Sequence, residues 1–127
     1  MIQACDTKQK LKVLIVDDSS LIISRLRRLL ANAENVSRFS DAHDFEEGKF
    51  LFDQENPDVV LLDINLPAKS GLDLLIYIRQ THKETKIIML TNEAASYYRK
   101  LSLSLGADYF VDKAYEFEKL PDILFNL

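Results

Sequence analysis

Five residues of this chain could do chemistry together: Asp17, Asp18, Asp63, Thr91 and Lys113. Carboxylates drawn into one small pocket repel one another, and the economical remedy is a hard divalent cation bound by oxygen. Mg²⁺ is the natural choice, because it takes one or two carboxylates, keeps waters and leaves positions for phosphate oxygens. An aspartate in such a pocket can attack phosphorus to give an acyl phosphate, provided that cationic groups and a hydroxyl face the equatorial oxygens. Lys113 and Thr91 would supply the cation and the hydroxyl beside the metal. Taken singly, each residue has a plainer reading. Asp17 and Asp18 could favour a helix N-terminus, Thr91 could be an N-cap and Lys113 a solvated loop charge. Their common position is what joins them, since each follows the carboxyl end of an apolar, strand-like run, where ligands of open parallel sheets bind.

Those runs define the elements that must position the five residues. A polar lead, residues 1–10, precedes Leu11-Lys12-Val13-Leu14-Ile15-Val16, a buried strand that stops at Asp17-Asp18. Ser19 can cap a helix in which Ile22, Leu26, Leu29, Leu30 and Ala33 recur at helical spacing. Asn35 to Phe39 is a weaker second strand, and Asp44 to Gln54 a helix with Phe45, Phe50 and Leu51 inward, in which Gly48 is an unfavourable residue. After Pro57, Asp58 to Leu62 forms a third strand ending on Asp63, and Pro67 keeps the Ile64–Lys69 stretch a loop. Ser70 caps a helix carrying Leu72, Leu75, Ile76 and Ile78, and Lys86 to Leu90 is a fourth strand ending on Thr91. A helix from about Ala94 stops at Gly106, a residue suited to a left-handed helix end. Ala107 to Val111 then leads to Lys113, and Tyr115 to Asn126 reads as a last helix that Pro121 disturbs. Strands nearly continuous in apolar residues, alternating with helices, call for a parallel sheet covered on both faces. The expected class is α/β, a single (βα)5 domain with a doubly wound five-stranded parallel sheet.

Val16-Asp17-Asp18, then Leu62-Asp63-Ile64-Asn65-Leu66-Pro67 with Gly71, then Leu90-Thr91, then Phe110-Val111-Asp112-Lys113 resemble the receiver domains of two-component signalling. The likeness covers nearly the whole chain, and it rests on the ordered set rather than on any one signal. It implies the strand order 2-1-3-4-5. It also implies that Asp63 is the phosphoacceptor, that Asp18 and Asp63 ligate Mg²⁺ (Mn²⁺ can substitute) and that Asp17 acts mainly through a bound water. Asn65 would offer its backbone carbonyl to the metal. Thr91 and Lys113 would hold the phosphoryl oxygens, and Phe110 occupies the aromatic switch position. Asn65, Asn92 and Glu93 would tune hydrolysis. The implied partners are a histidine kinase or histidine phosphotransfer protein, docked on the first helix near Ser19, Ser20 and Ile23, and a downstream protein of unspecified identity. Three positions depart from the common pattern. Ala114 stands where proline usually follows the lysine, which disfavours a cis peptide there. Asn92 replaces a small residue and narrows the path to Asp63, and Phe110 lacks the usual tyrosine hydroxyl.

Composition narrows the alternatives. At 127 residues the chain fits one domain, expected to span residues 1–127 without an output module. A net charge of −4 gives no drive toward nucleic acid, so none is expected as a direct partner, and Arg25, Arg27 and Arg28 read as a solvated helix face. Cys5 is the single cysteine and cannot form an internal disulfide; with no long apolar run, the expectation is a soluble, cytoplasmic protein away from membranes. His43 and His82 read as surface residues without partner acids. A haloacid-dehalogenase-type phosphatase would need an acid where Asn65 stands, and a Rossmann domain a glycine-rich turn after the first strand. A turnover enzyme is therefore not expected. The remaining alternative is a pseudo-receiver, a phosphorylation-independent interaction module on the same fold.

Overall fold

A computed structural model describes residues 10–92 and 96–127. The strands are β1 (Leu11–Val16), β2 (Val36–Ala42), β3 (Val59–Asp63), β4 (Lys86–Thr91) and β5 (Tyr109–Asp112). They form one parallel sheet in the order β2-β1-β3-β4-β5. Successive strand residues point to opposite faces. Leu14, Val16, Val60, Leu62, Ile87 and Met89 therefore enter one core and Val13, Ile15, Val59, Leu61, Ile88 and Leu90 the other. That double burial is why these runs are continuously apolar.

The helices are α1 (Ser20–Leu30), α2 (Phe45–Glu55), α3 (Gly71–Thr81), α4 (Ser96–Ser104) and α5 (Leu120–Phe125). Ile23, Leu26 and Leu30 of α1 share a core with Leu120 and Leu124 of α5, while Phe45 and Phe52 of α2 and Leu74, Leu75 and Ile78 of α3 fill the other. Ser19 caps α1 through the Ile22 N–H at 3.2 Å, and Ser70 caps α3 in a reciprocal box with Asp73. Gly106 takes the left-handed conformation after α4, with φ of 110°.

Several expectations are corrected. In α2 the inward aromatics are Phe45 and Phe52, whereas Phe50 is 60% exposed; the helix's phase is set by its Asp44 cap and by how closely it lies on the sheet. Gly48 makes that closeness possible, since a Cβ there would meet Leu74 at 3.0 Å and Val16 at 3.1 Å. In α3 Leu75 and Ile78 are buried as expected and Leu74 joins them, whereas Ile76 lies on the outer face. β2 runs to Ala42 rather than Phe39 because, as an edge strand, it buries little and its pattern is mixed. The last helix shrinks to Leu120–Phe125 after a 3₁₀ turn at Phe117–Lys119, with Pro121 in the first turn, where its missing N–H is harmless. His43 does have a partner acid: its N–H donates to Glu47 Oε1 at 2.8 Å and its Nδ1 lies 3.3 Å from the same oxygen. His82 is half-buried, edge-on to Phe52 at 4.9 Å. Among the described residues no helix is long and apolar enough to cross a membrane.

Candidate functional site

Parallel register brings the ends of four strands level. Val16 lies opposite Leu62, Asp63 opposite Leu90 and Thr91 opposite Asp112, so the residues at or just beyond these ends share one pocket. Asp17 is completely buried; its Oδ2 accepts from Lys113 Nζ at 2.5 Å and its Oδ1 from the Ser19 N–H at 2.9 Å. Lys113 Nζ also lies 3.2 Å from Asp63 Oδ2. Asp63 Oδ1 accepts the Asn65 N–H at 3.2 Å. Asp18 faces solvent, yet carboxylate oxygens of Asp17, Asp18 and Asp63 all lie within 4.8 Å of one another. Thr91 is buried at the end of β4, with Asn92 exposed beside it. Phe110 is buried with Met89, Ala107 and, on α4, Tyr98. Glu93 lies outside the described residues, as does Cys5.

A loop from Ile64 to Ser70 carries Asn65 past the pocket and returns tightly. The Gly71 N–H donates to the Ile64 carbonyl at 2.8 Å, and Ser70 Oγ donates to the same oxygen at 3.2 Å. This folds Gly71 directly against the backbone of Asp63, where any Cβ would overlap the Asp63 carbonyl oxygen.

The electrostatics of Asp63 follow from burial. Desolvation raises its pKa above the ordinary carboxylate value, Lys113 opposes that rise and Asp17 adds to it. The folded state thus holds this proton more tightly than the unfolded chain does. The resulting stabilisation is present below the unfolded-state pKa and is lost as pH rises through the raised folded-state value. Where this buried carboxylate is ionised without a cation, its desolvation weakens the fold. Asp63→Asn is therefore expected to stabilise the metal-free protein at pH 7 by about 1 kcal/mol, with less gain at acid pH. Thermal unfolding of both proteins across pH checks this; an unchanged or lower Tm at pH 7 contradicts it.

Lys113–Ala114 is trans, as expected without proline, there being no cis peptide bond among the described residues. The turn that follows is organised instead by Asp112, whose Oδ1 accepts the Ala114 N–H at 2.8 Å and whose carbonyl accepts the Glu116 N–H at 2.8 Å. Arg99 of α4 also reaches this turn through Glu116. An Asp followed by small or polar residues was the available signal for the turn; nothing local marks Arg99. One expected docking residue is corrected: Ile23 is buried against the sheet, and the exposed apolar side chain in that turn is Leu21, at 70%. Nor is the arginine group merely solvated, since Arg27 pairs with Asp41 at 2.8 Å and Arg25 covers the Phe117 ring.

Hard oxygen donors in this number suit a divalent cation. Three carboxylates, once all are ionised, outweigh one ammonium by two negative charges, which one such ion neutralises.

A five-stranded parallel sheet in this order, with an acidic cluster and a lysine at its carboxyl end, defines a class of doubly wound α/β domain whose site lies outside the strand ends. The profile of the Response regulator receiver domain family matches residues 13–125, and the chain belongs to that family. It is 39% identical over 109 residues to the Transcriptional regulatory protein CpxR of Klebsiella pneumoniae, covering 86% of this chain and 45% of that protein. It is 34% identical over 110 residues to the Transcriptional regulatory protein DltR of Streptococcus agalactiae, covering 87% and 48%. The chain thus spans about half the length of these relatives. Among solved structures, a CheY-like response regulator receiver domain protein of Methanospirillum hungatei superposes with a TM-score of 0.82 at 27% identity, over 93% of this chain and 92% of that one.

Proposed function

We propose that this receiver domain takes a phosphoryl group onto Asp63 from a histidine kinase or histidine phosphotransfer protein in the cytoplasm. The observation that carries the reading is the meeting of Asp63 with Asp17, Asp18 and Lys113 in one pocket. A carboxylate oxygen of Asp63 attacks phosphorus, the bond from phosphorus to the donor's imidazole nitrogen breaks, and that nitrogen leaves with the electron pair. Lys113 meets the charge on the phosphoryl oxygens and the Thr91 hydroxyl donates to one of them. Asp17, Asp18, Asp63 and the Asn65 carbonyl would hold Mg²⁺, or Mn²⁺ in its place; bound there, the ion supplies charge neutralisation for the same oxygens. Asn65, Asn92 and Glu93 tune the later attack of water. The group ends on the protein itself, so the domain is a switch and not a turnover enzyme.

Once phosphorylated, Thr91 moves inward and Phe110 repacks, altering the α4–β5–α5 face read by a downstream protein. With a net charge of −4 the domain has no drive toward nucleic acid, and its output is by protein contact. Intact mass after incubation with a small acyl phosphate tests it. The expected result is a gain of one phosphoryl group that requires Mg²⁺ and is absent from Asp63→Asn. No gain from acyl phosphate or from candidate kinases would overturn it in favour of a phosphorylation-independent interaction module.

A further inference from the structure

Arg99 projects from α4 over the ring of Phe110, with its guanidinium carbon 4.9 Å from the ring centroid. The same guanidinium donates from Nη1 to the Phe110 carbonyl at 3.4 Å and from Nη2 to Glu116 Oε1 at 3.1 Å. Glu116 Oε1 also accepts the Asp112 backbone N–H at 3.0 Å, and Oε2 accepts from Lys119 Nζ at 3.3 Å. The Asp112 N–H first, with lesser help from Lys119 and Arg99, holds the Glu116 carboxyl below its ordinary value against the opposing effect of burial. One guanidinium thereby grips both the ring and the main chain of Phe110. Through Glu116 and Asp112 it also grips the turn that carries Lys113.

We propose that Arg99 and Glu116 form a latch holding Phe110 and the Lys113 turn in the resting arrangement. Arg99 is then a positioning residue that opposes the switch. This rests on the receiver reading above, in which Phe110 must repack. Repacking of the ring costs its contact with the guanidinium, and a shift of its main chain costs the bond to the carbonyl. Arg99 and Glu116 side chains are 45% and 24% exposed, so the latch is weak enough for a signal to open. An exposed contact of this kind shifts a two-state population about two- to fivefold.

Arg99→Leu, Glu116→Gln and the double variant test this, with two readouts on each Mg²⁺-loaded protein. One is the set of Phe110 ring resonances without phosphodonor, and the other the initial rate of mass gain from a small acyl phosphate. The latch predicts shifted ring resonances and a rate raised about two- to fivefold in each single variant. The double variant should be no faster than the faster single, and Arg99→Lys, which keeps the charge without the fork, should fall between wild type and Arg99→Leu. Unchanged or slower rates, or two effects that multiply in the double variant, would overturn it. If the wild type gains no mass, the receiver reading fails separately. The latch is then judged on the ring resonances, and unshifted resonances refute it.

Discussion

Replacing Lys113 by methionine should destabilise the metal-free protein by about 3 to 5 kcal/mol, the range found when one partner of a buried ion pair is removed. Lys113 is 7% exposed and its ammonium contacts two carboxylates, Asp17 at 2.5 Å and Asp63 at 3.2 Å. Methionine keeps most of the volume and none of the charge. Asp17, completely buried, would then retain one backbone N–H and no cation, beside a second buried carboxylate. Protonation of one of them softens the loss at acid pH, so the deficit should grow as pH rises through the carboxylate range. Added Mg²⁺ should restore part of the stability, because it replaces the missing positive charge. Urea unfolding with and without Mg²⁺ measures this. A loss below about 1 kcal/mol, or one indifferent to the ion, would show that Lys113 is not the principal counter-charge of the pocket. The same variant should accept phosphoryl more slowly by about 10²- to 10³-fold, the usual effect of deleting one pre-organised charge-stabilising group.

Gly71→Ala should be nearly as damaging, for a reason of shape instead of charge. The added methyl would collide with the carbonyl oxygen of Asp63, which is backbone and cannot rotate away. Relief requires the Ile64–Ser70 loop and the start of α3 to move off β3, breaking the Gly71 and Ser70 bonds to the Ile64 carbonyl. The expected cost is about 3 kcal/mol, at the high end for overpacking because the obstacle is rigid. Because the strain falls on Asp63 itself, phosphoryl acceptance should drop more than stability explains. Unfolding curves together with the rate of mass gain separate the two effects. A variant as stable and as reactive as wild type would mean that the loop is free to shift.

The alternation of strands and helices was legible because both elements write their periods locally. Val13 to Val16, Val59 to Leu62 and Ile87 to Leu90 are continuously apolar since both sheet faces are covered, and no tertiary knowledge is needed to read that. The pocket was legible too, since Asp17, Asp63, Thr91 and Lys113 each stand at or just after a strand end and a parallel sheet gathers those ends on one side. Caps at Ser19 and Ser70 were readable from side chains that accept their neighbours' N–H groups.

Tertiary structure alone decided the rest. Which aromatic of α2 faces inward depends on the helix's rotation on the sheet, so Phe50 lies outside and Phe52 inside. Of the two adjacent acids, Asp17 is buried on Lys113 and Asp18 faces solvent, a difference that β1's phase at its last residue controls. Arg99 and Glu116 lie 17 positions apart and meet because α4 packs beside β5. Sequence by itself determined the order of the elements and which residue types stand at their ends, because those are properties of near neighbours. The partners each charge chose were decided by packing, since a Coulomb interaction depends on distance and burial that no local pattern encodes.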